Sequence, residues 1–324
     1  MALRARAGHC TLGAPSYIRS DMTSIVEVYR RWPTPESCIV HLETVRWGFP
    51  AKPICPYCGV QKAARHVEAT RTRWQCWGCQ KSFSVTVGTI FHNTHVDLQR
   101  WFLLISLMLN AKKGLSAMQA ARDIETRRAT VWSMMHRIRK ALVDDGQLLK
   151  GLVEMDEAYI GGKPRKRNRR DDDIDAPRGR ATRKQAVVGI VERGGRVKTK
   201  IVGKDEMSAD DMREMILDSI DLRNSVLTTD EHPSYARVND YMLHRTINHS
   251  ESYVERDLFA DQLGLIHTNS IESFWAILKR AIHGQFHHVS RKYLHLYLNE
   301  IGFRYNLRNA DDAFGPALLL AVKP

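Results

Sequence analysis

The chain has 324 residues, 43% of them apolar, and a formal net charge of +13 from 49 Lys and Arg against 36 Asp and Glu. That length and apolar content suffice for two or three domains with cores of their own. No apolar run approaches the roughly 20 residues of a membrane helix: the longest, Trp101–Leu109, reads as a buried helix.

The charge is uneven. Residues 1–50 carry 6 basic and 4 acidic side chains, residues 51–150 carry 16 and 6, and residues 151–324 carry 27 and 26. A basic front end on a near-neutral second half points to a polyanion such as DNA. No secretory signal is present, so the expected location is the cytoplasm, with reduced thiols.

In chain order, residues 1–21 read as a disordered extension, with Met22 as an alternative start just before the first apolar-periodic segment. Residues 22–50 form a helical lead-in that ends at the Gly and Pro of WGFPAKP. Residues 51–92 carry two CxxC pairs, Cys55/Cys58 and Cys76/Cys79, with 17 residues between them. Each pair presents two thiolates to one side, and two such knuckles close a four-thiolate shell with no open position. This predicts a zinc ribbon with a structural Zn²⁺ and a short hairpin between the knuckles.

Residues 93–148 read as three helices, with Asp97 as the first N-cap. Val131, Met134, Met135, Ile138 and Leu142 recur at helical spacing and are expected to face a core. Arg127, Arg128, Arg137, Arg139 and Lys140 lie mostly off that stripe, which gives a helix-turn-helix-like segment with a basic helix for DNA. A plain helical bundle with a solvated basic face is the competing reading.

Residues 149–310 change character. A strand in LVEMDEAYIGG, a hairpin turning at Gly194-Gly195, a helix capped by Ser208 and a strand ending at Asp230 predict an α/β domain with a mixed sheet. A helix is expected after Asp230, ahead of a final amphipathic one. Residues 164–184 form a charged loop nearly free of apolar residues, and residues 311–324 read as a tail. Asp156, Asp230 and Glu272 sit in or at the ends of these elements, and clustered carboxylates call for a cation, with hard oxygen ligands suiting Mg²⁺. Glu272 and Lys279 share one helix face about 10 Å apart, with Asn269 one turn before Glu272. Ile271, Phe274, Trp275 and Leu278 make the apolar face.

The motifs CPYCG…WQCWGCQKSFSVTVGTIF, EMDEAYIGGK, TTDEHPSY and HTNSIESFWAILKRAIHGQFHHVSRKYLHLYLNEIGFRYN resemble those of DDE-type bacterial insertion-sequence transposases. The likeness is to the group with a four-cysteine zinc ribbon ahead of a ribonuclease-H-like catalytic domain. It implies a metal triad of Asp156, Asp230 and Glu272, with Lys279 on DNA; Arg280, the next basic residue of the helix, is a further DNA-binding candidate. It also implies two Mg²⁺ ions, with Mn²⁺ able to substitute, and a dimer or higher multimer acting on double-stranded DNA at element ends and target. The implied reaction is cleavage at the terminal inverted repeats by metal-activated water, then attack of the freed 3′-OH on target DNA. Some members use Asn as third ligand, so Asn269 is the alternative to Glu272. Glu154, on the same strand face as Asp156, is the alternative to Asp156. A nuclease or resolvase that cuts without joining, and a DNA-binding regulator with an inactive catalytic domain, are the other readings.

Overall fold

The computed structural model describes residues 24–68, 71–143, 146–161, 184–203, 207–231, 233–247, 255–256 and 265–323. The extension 1–21 and nearly all of the charged loop 164–184 therefore lie outside the described residues.

Side-chain caps set the first helices. Thr34 and Ser37 close a capping box at the start of α2 (Pro35–Trp47), which follows α1 (Ile25–Arg31). Asp97 accepts the Arg100 N–H (2.9 Å) and opens α3 (Leu98–Asn110), as its sequence position predicted. Next come α4 (Ala117–Asp123) and α5 (Arg128–Ala141), joined by a short turn with Glu125 at φ 51°. The predicted stripe of α5 is buried, with Val131, Met134, Met135, Ile138 and Leu142 each at most 3% exposed.

Residues 311–324 do not behave as a tail. Asp312 accepts the N–H groups of Phe314 (2.8 Å) and Gly315 (3.2 Å), and α9 (Phe314–Ala321) follows. Its Phe314 stacks on Trp32 with ring centroids 5.3 Å apart, and Phe314 and Leu318 enter the same core as Trp101, Phe102 and Met135. FGPALLLA has no polar face: Leu319 on its open side is exposed and as apolar as the side that packs, so the sequence carries no period although Phe314, Ala317, Leu318 and Ala321 are buried at helical spacing.

The ribbon hairpin pairs β1 (Ala63–Glu68) with β2 (Arg71–Cys76), and β2 with the two-residue β3 (Ser82–Phe83). The four cysteine sulfurs all lie within 4.8 Å of one another, with Cys55–Cys79 at 3.7 Å and Cys58–Cys76 at 3.5 Å. A tetrahedron with Zn–S bonds of about 2.3 Å has edges of about 3.8 Å, so the cluster fits a structural Zn²⁺. Trp47 packs edge-on against Trp74 and Phe83, while Trp74 Nε1 donates to buried Glu43 (2.8 Å), fastening the ribbon to α2. The ribbon's own core is little more than Cys55, Cys76 and Phe83. Stripping zinc, or Cys76→Ser, is therefore expected to abolish amide protection in β1–β2, since metal binding on the order of 10 kcal/mol is folding free energy in such a site. Hydrogen exchange checks this; a ribbon that stays protected without zinc would sink it.

The third unit is one five-stranded sheet of order β6-β5-β4-β7-β8. Strands β4 (Leu149–Ile160), β5 (Gln185–Glu192) and β6 (Val197–Val202) form an antiparallel meander. Helix α6 (Ala209–Ser219), capped by Ser208, crosses over to β7 (Ile220–Asp230), which runs parallel to β4, and β8 (Leu243–Ile247) runs parallel to β7. This is a mixed sheet, as expected of a ribonuclease-H-like domain. Among the described residues no α-helix directly follows Asp230: two single-turn 3₁₀ segments, Pro233–Tyr235 and Val238–Asp240, lead into β8. Strand β8 went unread because LHRTI is short and mostly polar.

Alternation along β4 separates the two faces. Val153 and Met155 pack with Met212, Met215 and Ile216 of α6 on one side, and Ala158 and Ile160 pack on the other against α7 (Asn269–Arg280) and α8 (Leu294–Asn306). Gly189 of β5 lies opposite Asp156, and a Cβ there would fall 2.7 Å from the Trp275 ring and 2.9 Å from Ile271 Cδ1. Only a glycine lets α7 settle this close to the sheet. Among the described residues no helix is long and apolar enough to cross a membrane.

Candidate active site

Two acidic residues of β4 point toward α7. The parallel register pairs Val153 with Leu227 and Glu154 with Thr228. Two steps further along that register, Asp156 comes beside Asp230, the last residue of β7. Residues 154, 156, 228 and 230 thus share the face covered by α7.

Asp156 is largely buried, and Trp275 Nε1 donates to its Oδ2 (3.0 Å). Burial pushes its carboxyl up to about 6; the charges of Glu157 and Asp230 add to the rise, while the Glu157 backbone N–H and the Trp275 indole oppose it. Glu157 faces away, as strand alternation predicts, and accepts the hydroxyl of buried Tyr235 (3.0 Å). Tyr235 is held protonated well above its ordinary range by its burial and by the nearby Glu157, Asp230 and Asp156 charges.

Glu154 is fully buried and surrounded by donors. Arg193 Nε reaches Oε1 (2.7 Å), and the backbone N–H groups of Ser270 (2.8 Å) and Ile271 (3.0 Å) reach Oε2. The His267 Nδ1 stands 3.2 Å from Oε1. Glu272 lies in the first turn of α7, exposed and three residues before Trp275. Asn269 is the first residue of α7, also exposed, with its N–H directed at His267 Nδ1 (3.3 Å). Lys279 and Arg280 are exposed in the last turn.

Residues 148–306 match the ISXO2-like transposase domain, and residues 33–82 match the transposase zinc-ribbon domain. The chain belongs to the zinc-ribbon insertion-sequence transposases. A protein in transposable element ISH50 of Halobacterium salinarum is 28% identical over 130 residues, 40% of this chain and 43% of that protein. The chain thus matches less than half the length of that relative. Mos1 transposase structures are distant. The paired-end complex with the left transposon end has a TM-score of 0.31 at 13% identity over 67% of this chain and 74% of that one. The pre-cleavage transpososome has 0.30 at 12% over 66% and 73%. Likenesses this low do not bear on fold or function.

On the basic helix α5 of the transposase, Arg127, Arg128 and Lys140 are exposed. Arg137 is half-buried, donating to the His92 carbonyl (2.6 Å) and lying 5.4 Å over the Trp101 ring. Arg139 is not available to DNA. It is 1% exposed, paired with Glu300 of α8 (2.6 Å) and set 4.1 Å over the Tyr297 ring. It follows Ile138 on the packed side of the helix, where α8 supplies the carboxylate that a 3.6-residue period cannot reveal.

Trp275, Arg193 and Tyr235 escaped the sequence reading. Trp275 belongs to the apolar face by sequence, and most of its ring does sit there; its indole N–H is the polar handle such a residue must satisfy when buried. Arg193 sits in the hairpin turn, with nothing local to tie it to β4.

Proposed function

We propose that this transposase binds the ends of its element as double-stranded DNA, cleaves there, and joins the freed 3′-OH to target DNA as a dimer or higher multimer. The observation that carries this is the β4–β7 register, which sets Asp156 beside Asp230 under a helix bearing Glu272 and Lys279. A carboxyl raised by burial and by a neighbouring acid is a group that a cation would return to its charged form. Hard oxygens on two adjacent strands and the helix over them fit Mg²⁺, with Asp156, Asp230 and Glu272 as the residues that would hold it. When bound, two such ions activate the attacking oxygen and stabilise the leaving one.

The chain's own contributions are positional. Trp275 fixes one oxygen of Asp156 and so holds the carboxyl in one orientation. Lys279, two turns along α7 from Glu272, meets a phosphate of the bound strand. Arg127, Arg128 and Lys140 hold the DNA backbone while the ribbon, which carries exposed Arg65 and Lys81, extends the contact.

The deciding experiment supplies the full chain with Mg²⁺, a pre-cleaved element end carrying a 3′-OH, and target DNA. Covalent joining is the expected result. Cutting of intact ends without joining would instead make the protein a nuclease or resolvase, and salt-dependent binding without cutting would make it a regulator.

A further inference from the structure

We propose that Glu154 is a positioning residue: its carboxylate latches the N-terminus of α7 to β4 and so sets where Glu272 stands. This rests on the active-site reading above.

Helix α7 begins without a side-chain cap of its own; Thr268, at the N-cap position, makes no capping bond. Its free amides are served instead from across the domain. The Ser270 and Ile271 N–H groups donate to Glu154, a residue 116 and 117 positions earlier in the chain. A fully buried carboxylate is costly to hold unless paired and hydrogen-bonded. Here the positive end of a helix dipole and the Arg193 guanidinium both face it. Arg193 belongs to the same assembly, because its Nη2 donates to the His267 carbonyl (2.8 Å) and its backbone N–H to the Leu152 carbonyl (2.8 Å).

The latch has a second point. Glu154 and Asp156 are two strand residues apart, roughly 7 Å. Their partners on α7, Ser270/Ile271 and Trp275, are four to five helix residues apart, roughly 6–7.5 Å along the axis. Strand and helix therefore match in spacing, and both bonds form together. A slip of one residue would break both and turn every side chain of α7 by about 100°. With both made, the rotation of α7 is fixed, and Glu272, between the two anchor points, has one direction to point. Glu154 touches no substrate; its effect passes through the helix.

The test compares the full-length parent with Glu154→Gln. The amide can still accept one N–H but has lost its charge against Arg193. Expected results are element-end DNA binding within about twofold of the parent, cleavage slower by roughly 10–100-fold, and a rise of about tenfold in the Mg²⁺ concentration for half-maximal cleavage, the usual scale for a group that orients a metal ligand. Hydrogen exchange should show the Ser270–Ile271 amides losing protection while β5 keeps its own. A Mg²⁺ midpoint and α7 exchange both unchanged would overturn the proposal, as would a uniform loss of protection with the Mg²⁺ midpoint unmoved, which marks a merely structural role. If the parent itself does not cleave, the activity reading fails, and the exchange at Ser270–Ile271 still decides the latch. Should Glu154→Gln fail to fold, Arg193→Gln, which removes one partner of the carboxylate, carries the same comparison.

Discussion

Asp230→Asn in the full chain is expected to reduce element-end cleavage by on the order of 10³-fold while leaving DNA binding near the parent level. A cation clamp on a transferring phosphoryl group supplies several kcal/mol of charge stabilisation, and each 1.36 kcal/mol is about a factor of ten in rate. Glu231→Gln is the control: that neighbour is exposed and stands beyond the last residue of β7, so its loss should leave cleavage within a few-fold. Asp156→Asn should lose as much activity as Asp230→Asn but change stability in the opposite direction to most core polar substitutions. The Asp156 carboxyl is raised to about 6 by burial, so in the absence of Mg²⁺ the folded state disfavours its ionised form. Its contribution is complete below about pH 4, near the unfolded value, and is lost as pH rises through about 6. At pH 7 the ionised group therefore costs the fold on the order of 2 kcal/mol, and the neutral Asn, still able to accept from Trp275, relieves it. Without added Mg²⁺, Asp156→Asn should melt at or above the parent at pH 7, the difference vanishing near pH 4. A variant that melts well below the parent at pH 7 would show that the carboxylate is satisfied without a cation, and the metal-site reading would lose its physical basis.

The strand that carries Asp156 was legible because alternation in VEMDEAY is a local property, and so was the cysteine cluster, whose spacing encodes its own geometry. The helix caps Asp97 and Ser208 were legible for the same reason: a cap acts within three residues. The misses at the site are long-range. Glu154 looked like a second candidate ligand because it shares a face with Asp156. Nothing near it in sequence says that its oxygens are taken by amides more than a hundred residues away. The apolar α9 has no period to read, because Leu319 on its open side is as apolar as the face it buries against the helical core. Glu272 lies between the two anchors of α7, one turn beyond Asn269, the first residue of the helix.

Arg139 shows the same limit with a larger energetic consequence, and Glu300→Gln is expected to destabilise the chain by about 3–5 kcal/mol. The Arg139 and Glu300 side chains are 2% and 0% exposed. Arg304, 11% exposed, approaches Glu300 at 3.6 Å and donates to the Ala111 carbonyl at the end of α3. Two guanidinium groups thus share one carboxylate at the joint where α5, α3 and α8 meet. Arg139 Nη2, Arg304 Nε and Glu300 Oε1 make no hydrogen bond among the described residues. Such a triad adds little net stability, because desolvation offsets most of the Coulomb attraction, yet removing its one acid strands two cations in a dry interior. The two facts make opposite predictions for partial and complete replacement. Glu300→Gln should lower the denaturant midpoint sharply. The triple change Arg139→Met, Glu300→Leu, Arg304→Met should recover most of the loss, because no charge remains to desolvate. Equilibrium unfolding of the parent, the single and the triple variant separates the cases. If the single change costs less than about 1 kcal/mol, Arg139 is not confined as described, and its guanidinium regains a claim on DNA. If the triple is as unstable as the single, the triad supplies packing that apolar side chains cannot replace, and the basic face of α5 depends on it for its orientation toward the sheet.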